Sequence, residues 1–123
     1  MEDSSIRMLN ALAQTIYDKK GSNIIAIDVR GISSLTDYLL IAEGTVDRHV
    51  QAIGKAIIDK AEELNLQVFH LNGDVIGDWI VVDCGEMMIH LFLPDMRDKY
   101  RLEQVWNKGK IVDLDLRVGS DRE

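Results

Sequence analysis

The turn Gly85-Glu86 is the most constraining feature of the chain, because apolar-rich runs flank it closely on both sides (Trp79–Cys84 and Met87–Leu93). A two-residue hairpin turn requires a residue that tolerates positive φ, which Gly85 supplies, and it fixes the register of everything around it. Cys84 then faces Met87, Asp83 faces Met88, Val81 faces His90 and Trp79 faces Phe92. Side chains alternate across a strand, so this pairing sorts the hairpin into two faces. One face, Ile80, Val82, Cys84, Met87, Ile89 and Leu91, is uniformly apolar and reads as core. The other, Trp79, Val81, Asp83, Met88, His90 and Phe92, mixes large aromatics with polar groups. Aromatic residues and methionine are enriched at the centres of protein interfaces, so this second face is read as a candidate contact surface.

The rest of the chain supplies a framework for that hairpin. Ile6, Leu9, Ala13, Ile16 and Tyr17 recur at helical spacing, with Asp3 or Ser4 as N-cap and Gly21 as the stop. The run Ile24-Ile25-Ala26-Ile27 ending in Asp28 reads as a strand covered on both faces, and Asp37–Ala42 as a second strand. A long helix follows Glu43-Gly44-Thr45, with Val46, Val50, Ile53, Ile57, Ala61 and Leu64 as its apolar stripe. Gln67–Leu71 alternates as a third strand, and Asn72-Gly73-Asp74 reads as a turn. After the hairpin, Asp95 is placed to cap a last helix from Met96 to about Lys108. The expected fold is α/β, in the order α-β-β-α-β-β-β-α, with a five-stranded mixed sheet and flanking helices. It is expected to occupy residues 1–116 as one domain, with 117–123 as a disordered tail.

Composition narrows the function. The 123 residues, 46% of them hydrophobic, suffice for one domain that hides roughly two-thirds of its extended area. One cysteine, Cys84, excludes an internal disulfide and a CxxC redox pair. Fourteen basic residues against 21 acidic ones leave a formal charge of −7, which disfavours general nucleic-acid binding and favours a basic protein partner. No direct nucleic-acid site is therefore expected. No apolar run approaches the roughly 18 residues of a membrane span and no leader is visible, so a cytoplasmic location is expected.

Candidate chemistry is sparse. His49, His70 and His90 form no HxH or HxxxH pair, and Cys84 reads as a small core residue. Asp28, Asp37 and Asp83 lie near strand ends and could together hold magnesium for nucleotidyl transfer. Gly31-Ile32-Ser33-Ser34 faintly resembles the entry loop of nucleotidyltransferases, yet no Asp-x-Asp pair follows it. Asp113 and Asp115, the pair that does occur, read as a solvated edge. Nothing marks a P-loop, a dinucleotide fingerprint or a nucleophile elbow, so neither a cofactor nor a resident metal is expected.

Three blocks in order resemble the ribosomal silencing factors, also called Iojap-like proteins. The first is Leu35-Thr36-Asp37-Tyr38-Leu39-Leu40-Ile41-Ala42-Glu43-Gly44-Thr45 with Arg48-His49-Val50-Gln51-Ala52-Ile53. The second is Gly77-Asp78-Trp79-Ile80-Val81-Val82-Asp83 with His90-Leu91-Phe92, and the third is Arg97, Tyr100, Leu102-Glu103 and Trp106. Three departures stand out: Asn72-Gly73 replaces a usual Glu-Gly, Asp78 stands between the Gly and Trp of the commoner pattern, and Cys84 occupies an aromatic position.

The resemblance implies a fold distantly like nucleotidyltransferases without their catalytic acids, and no enzyme activity. It implies binding to the large ribosomal subunit through ribosomal protein L-fourteen, steric blocking of subunit joining when nutrients are scarce, and a homodimer. Trp79, Met88, His90 and Phe92 are then expected at the centre of the contact, with Asp78, Arg97 and Tyr100 at its rim. For Trp106, packing of the last helix is preferred. The alternative is a metal-dependent nucleotidyltransferase-like enzyme using the three aspartates.

Overall fold

The first helix, α1 (Ser4–Asp18), ends because the chain turns back tightly beneath it. Lys20 takes φ +68° and the Gly21 amide donates to the carbonyl of Ile16 at 2.8 Å, a Schellman-type closure. A Cβ on Gly21 would stand 2.3 Å from Ile16 Cγ2, so only glycine fits. The left-handed residue is thus Lys20, and Gly21 is needed for close approach rather than for its φ. The computed structural model describes residues 4–68, 70–73, 79–100 and 108–116.

Leu9, Leu12, Ala13 and Ile16 form the buried stripe of α1. Strands β1 (Ser22–Asp28) and β2 (Tyr38–Glu43) follow, then helix α2 (Asp47–Glu63) and strands β3 (His70–Gly73), β4 (Trp79–Asp83) and β5 (Met87–Phe92). A short helix α3 (Pro94–Tyr100) and strand β6 (Lys110–Val112) complete the described elements. The sheet order is β3-β4-β5-β2-β1-β6. Among the described strands only β2 and β5 pair in parallel, so the sheet is mixed, as expected. Central β2 is buried on both faces over Tyr38–Ala42, which explains its unbroken apolar run.

One sheet face carries α1 and α2. Ala26, Tyr38, Leu40, Ala42, Ile80, Val82, Met87, Ile89 and Leu91 meet Leu9, Leu12, Val50, Ile53 and Ile57 there. Each such fully buried Leu or Ile contributes roughly 1.5–3 kcal/mol relative to exposure. The opposite face is a smaller cluster of Ile27, Val29, Leu39, Ile41 and Phe92, with Met96 of α3 packed against it.

Several expectations need correction. The sheet gains a sixth strand, β6, antiparallel to β1 at the edge. Its three residues bury too little to show a pattern, and Ile111 is 65% exposed. Strand β3 runs through Asn72 and Gly73, expected to turn, because they pair with Val81 and Ile80 of β4. Val46 is the N-cap of α2 and is 55% exposed, so it leaves the apolar stripe. The last helix starts at Pro94, whose fixed φ suits a first helical position, instead of being capped by Asp95. Beyond Tyr100 its expected extension, Trp106 included, lies outside the described residues, as do Asp3, Asp74 and the 117–123 tail.

Candidate functional site

The hairpin pairs as its turn dictates. Trp79 faces Phe92, Val81 faces His90 and Asp83 faces Met88. The Cys84 amide donates to the Met87 carbonyl at 2.9 Å, and Gly85 takes φ +82°. Asp83 Oδ1 accepts the Gly85 amide at 2.8 Å, so this carboxylate holds the turn. Ile80, Val82, Cys84, Met87, Ile89 and Leu91 all lie in the core beneath α1 and α2.

On the other face, three rings are layered. The Trp79 ring stacks on Phe92 with centroids 4.9 Å apart and planes 28° apart. His90 lies 6.0 Å from Trp79 and 6.2 Å from Phe92. The Trp79 indole N–H donates to His90 Nδ1 at 3.2 Å, which leaves the imidazole proton on Nε2. Burial lowers the His90 pKa from 6.5 to about 4, so the ring is neutral at physiological pH.

Exposure divides the expected contact residues. Phe92 is fully buried and His90 is 7% exposed, so neither presents a surface, contrary to their expected place at the contact centre. Parity assigned them to the right face but says nothing of what lies over it. They are the floor beneath Trp79 and Met88, which remain partly exposed.

Arg97 also differs from a free rim residue. Its Nη1 pairs with Glu43 Oε2 at 3.3 Å, with both side chains about 11–12% exposed, and donates to the Asn23 carbonyl. Glu43 Oε1 accepts from Asn23 Nδ2 at 3.1 Å. Sequence reading missed Glu43, although its parity with Leu39 and Ile41 on β2 places it on this face. The pair ties α3 to the sheet, where Met96 covers the second cluster. Asp78 and the Tyr100 side chain lie outside the described residues.

His49, a poor metal candidate by its spacing, joins two elements. Its Nδ1 accepts the Thr45 amide at 2.9 Å, and Nε2 donates to the Lys19 carbonyl at 2.7 Å. The start of α2 is thereby fastened to the end of α1. Its position inside the Arg48-His49-Val50 block was the available signal.

The three aspartates do not converge. Asp28 pairs across to Tyr38, which faces α1 and α2, whereas Asp83 opposes Met88 on the other face. Three strand spacings separate them, roughly 14 Å. Asp28 receives Arg30 Nε at 3.0 Å and Nη2 at 2.8 Å, and those bonds lower its pKa. Among the described residues, no three His, Cys, Asp or Glu side chains are grouped to hold a metal. Burial and the neighbouring Asp83 charge raise the Cys84 thiol to about 11, which removes it as a nucleophile at neutral pH. No described helix is long and apolar enough to cross a membrane.

Fold and site together define a small α/β domain with one face packed under helices and a half-open aromatic patch on the other. The sequence pattern of the family described as "Ribosomal silencing factor during starvation" matches residues 2–123. Ribosomal silencing factor RsfS of Bacillus subtilis is 39% identical over 108 residues, 88% of this chain and 92% of that protein. Its Haemophilus influenzae counterpart is 36% identical over 99 residues, 80% of this chain and 97% of that protein. A crystal structure of a Chromobacterium violaceum protein superimposes with TM-score 0.80 at 29% identity, covering 98% of this chain and 96% of the other. The chain belongs to the ribosomal silencing factor family.

Proposed function

We propose that this protein silences ribosomes by occlusion. It binds the large ribosomal subunit through ribosomal protein L-fourteen and blocks joining of the small subunit when nutrients are scarce. The observation that carries this reading is the Trp79–Met88 patch: two large, polarisable side chains, partly exposed, on a rigid hairpin floored by Phe92 and His90. Such anchors on a pre-ordered floor lose little freedom on binding. A charge of −7 favours a basic ribosomal protein as the direct partner. Bacterial relatives carry the name ribosomal silencing factor, and a mouse relative, 31% identical over 101 residues, is named for mitochondrial assembly of the large ribosomal subunit.

Occlusion needs no chemistry from the protein. A domain of 13.9 kDa on the intersubunit side is large enough to exclude a bridge between subunits. The cytoplasm is the compartment in which it acts, and a homodimer is its free form. Sucrose-gradient sedimentation with separated subunits tests the central claim. Comigration with the large subunit and fewer joined ribosomes are expected; free migration with undiminished joining overturns it. A single 13.9 kDa species in sedimentation equilibrium of the free protein overturns the dimer.

A further inference from the structure

Among the described residues, one cleft on this acidic chain carries more positive than negative charge. This cleft of about 510 Å³ opens where β1 ends and β6 begins, lined by Asp28, Arg30, Gly31, Ile32, Lys108 and Lys110. Among the described lining residues three cations stand against one carboxylate, and because Arg30 and Asp28 offset each other, Lys108 and Lys110 are the charge in excess. Both oxygens of Asp28 accept from the Arg30 guanidinium, and Oδ1 also accepts the Arg30 amide at 3.0 Å. Arg30 is held in place a second way, with its guanidinium carbon 5.3 Å from the centre of the Tyr38 ring. Lys108 and Lys110 are exposed, and Asp28 has been neutralised by a nearer partner.

We infer that this cleft is an anion site that receives the phosphate backbone of large-subunit RNA, apart from the protein contact. The inference rests on the proposed binding to the large subunit and adds a second, separate contact to it. Exposed lysines flanking a fixed guanidinium suit phosphate oxygens, which they contact without reading base identity. A chain of charge −7 is repelled by RNA as a whole, so close approach requires a local positive field. The cleft supplies it at the sheet end that also carries Met88. Asp28 pairs with Tyr38 and Tyr38 with Met87, so two strand spacings, roughly 10 Å, separate it from the start of β5; Asp28 and Lys110 lie on the α1–α2 side of the sheet and Met88 on the other. Net charge averages over the whole surface, so a formal charge of −7 is compatible with a local site of this kind.

The test compares wild type, Lys108→Gln/Lys110→Gln and a control, Lys55→Gln on exposed α2, for affinity to purified large subunits across a potassium chloride series. The double variant should bind about tenfold more weakly at low salt, as expected for two exposed charge contacts. Its log-affinity against log-salt slope should be shallower by about 1.5. Hydroxyl-radical footprinting should show a stretch of RNA backbone protected by wild type and by Lys55→Gln but not by the double variant. Unchanged affinity and slope in the double variant overturn the inference. So does weaker binding with no lost RNA protection, which would make an acidic protein segment the occupant. Failure of wild type to bind large subunits would instead refute the proposed function itself, so the two failures are distinct.

Discussion

The indole N–H of Trp79 donates to Nδ1 of His90 across the hairpin at 3.2 Å, joining the most accessible ring of the second face to a buried one. That bond requires neutral imidazole, because protonated Nδ1 would be a donor facing a donor. The exposed patch and the titration of a buried histidine are therefore linked.

Stability should fall in acid through His90. Its ordinary pKa of 6.5 is lowered to about 4 in the folded chain by burial. The unfolded chain takes up a proton below 6.5 that the folded chain refuses until about 4. Stability from this group is thus complete above pH 6.5 and lost progressively between 6.5 and about 4. Between pH 7 and 5 the loss should be about 2 kcal/mol, read by urea denaturation at each pH. His90→Gln should lack this slope. A wild-type midpoint that moves no more than the variant's would show that His90 is not the cause. Asp28 acts in a lower window: its pKa is depressed, chiefly by Arg30, so its contribution persists above 3.8 and fades below.

Trp79→Ala separates docking from folding. The side chain is partly exposed and stacks on Phe92 at 4.9 Å, so its removal should cost about 2 kcal/mol, less than truncating a fully buried tryptophan. The variant should remain folded by circular dichroism. Its affinity for large subunits should drop roughly 30-fold, the value of one interface anchor. A folded variant with wild-type affinity would remove Trp79 from the contact.

Arg97 and Glu43 form a nearly buried pair, so the costs of removing the two charges should be coupled. Arg97→Gln alone leaves the nearly buried Glu43 carboxylate without its cation, with only the Asn23 amide donating to it, and roughly 3 kcal/mol of destabilisation is expected. The double variant Glu43→Gln/Arg97→Gln should be less destabilised than the two single losses added together. Chemical denaturation of the four proteins closes the cycle. Additive losses would mean that the two residues act independently of each other.

The hairpin was legible because its register follows from a two-residue turn and side-chain alternation, both local. The α1 and α2 cores were legible for the same reason, their stripes repeating every three or four residues. What lies over the hairpin's second face was not. The Arg97–Glu43 contact joins residues 54 apart in sequence, and nothing local records it. Edge strand β6 escaped because Ile111 points to solvent, opposite to the pattern that marks a strand. The lateral shift of β3 escaped because its bounds are set by pairing with β4 and not by its own composition. The acids Asp28 and Asp83 looked alike in sequence, and only strand parity separates them onto opposite faces.

His49 provides the last prediction. Its two ring nitrogens bond the Thr45 amide at 2.9 Å and the Lys19 carbonyl at 2.7 Å, so it bridges the ends of α1 and α2. Lys19 precedes left-handed Lys20 in the tight closure of α1, and its carbonyl is the one His49 bonds. His49→Ala should cost about 1–2 kcal/mol, since two hydrogen bonds are lost at a half-exposed site where water replaces part of them. The effect should be local before it is global. In hydrogen exchange, the Thr45 amide should lose protection more than tenfold, while amides at the centre of α2, such as Ile57, change only by the global loss. Equal loss of protection at both sites would mean that His49 supports the whole core and not the junction, because a staple between helix ends has no separate route to the middle of α2.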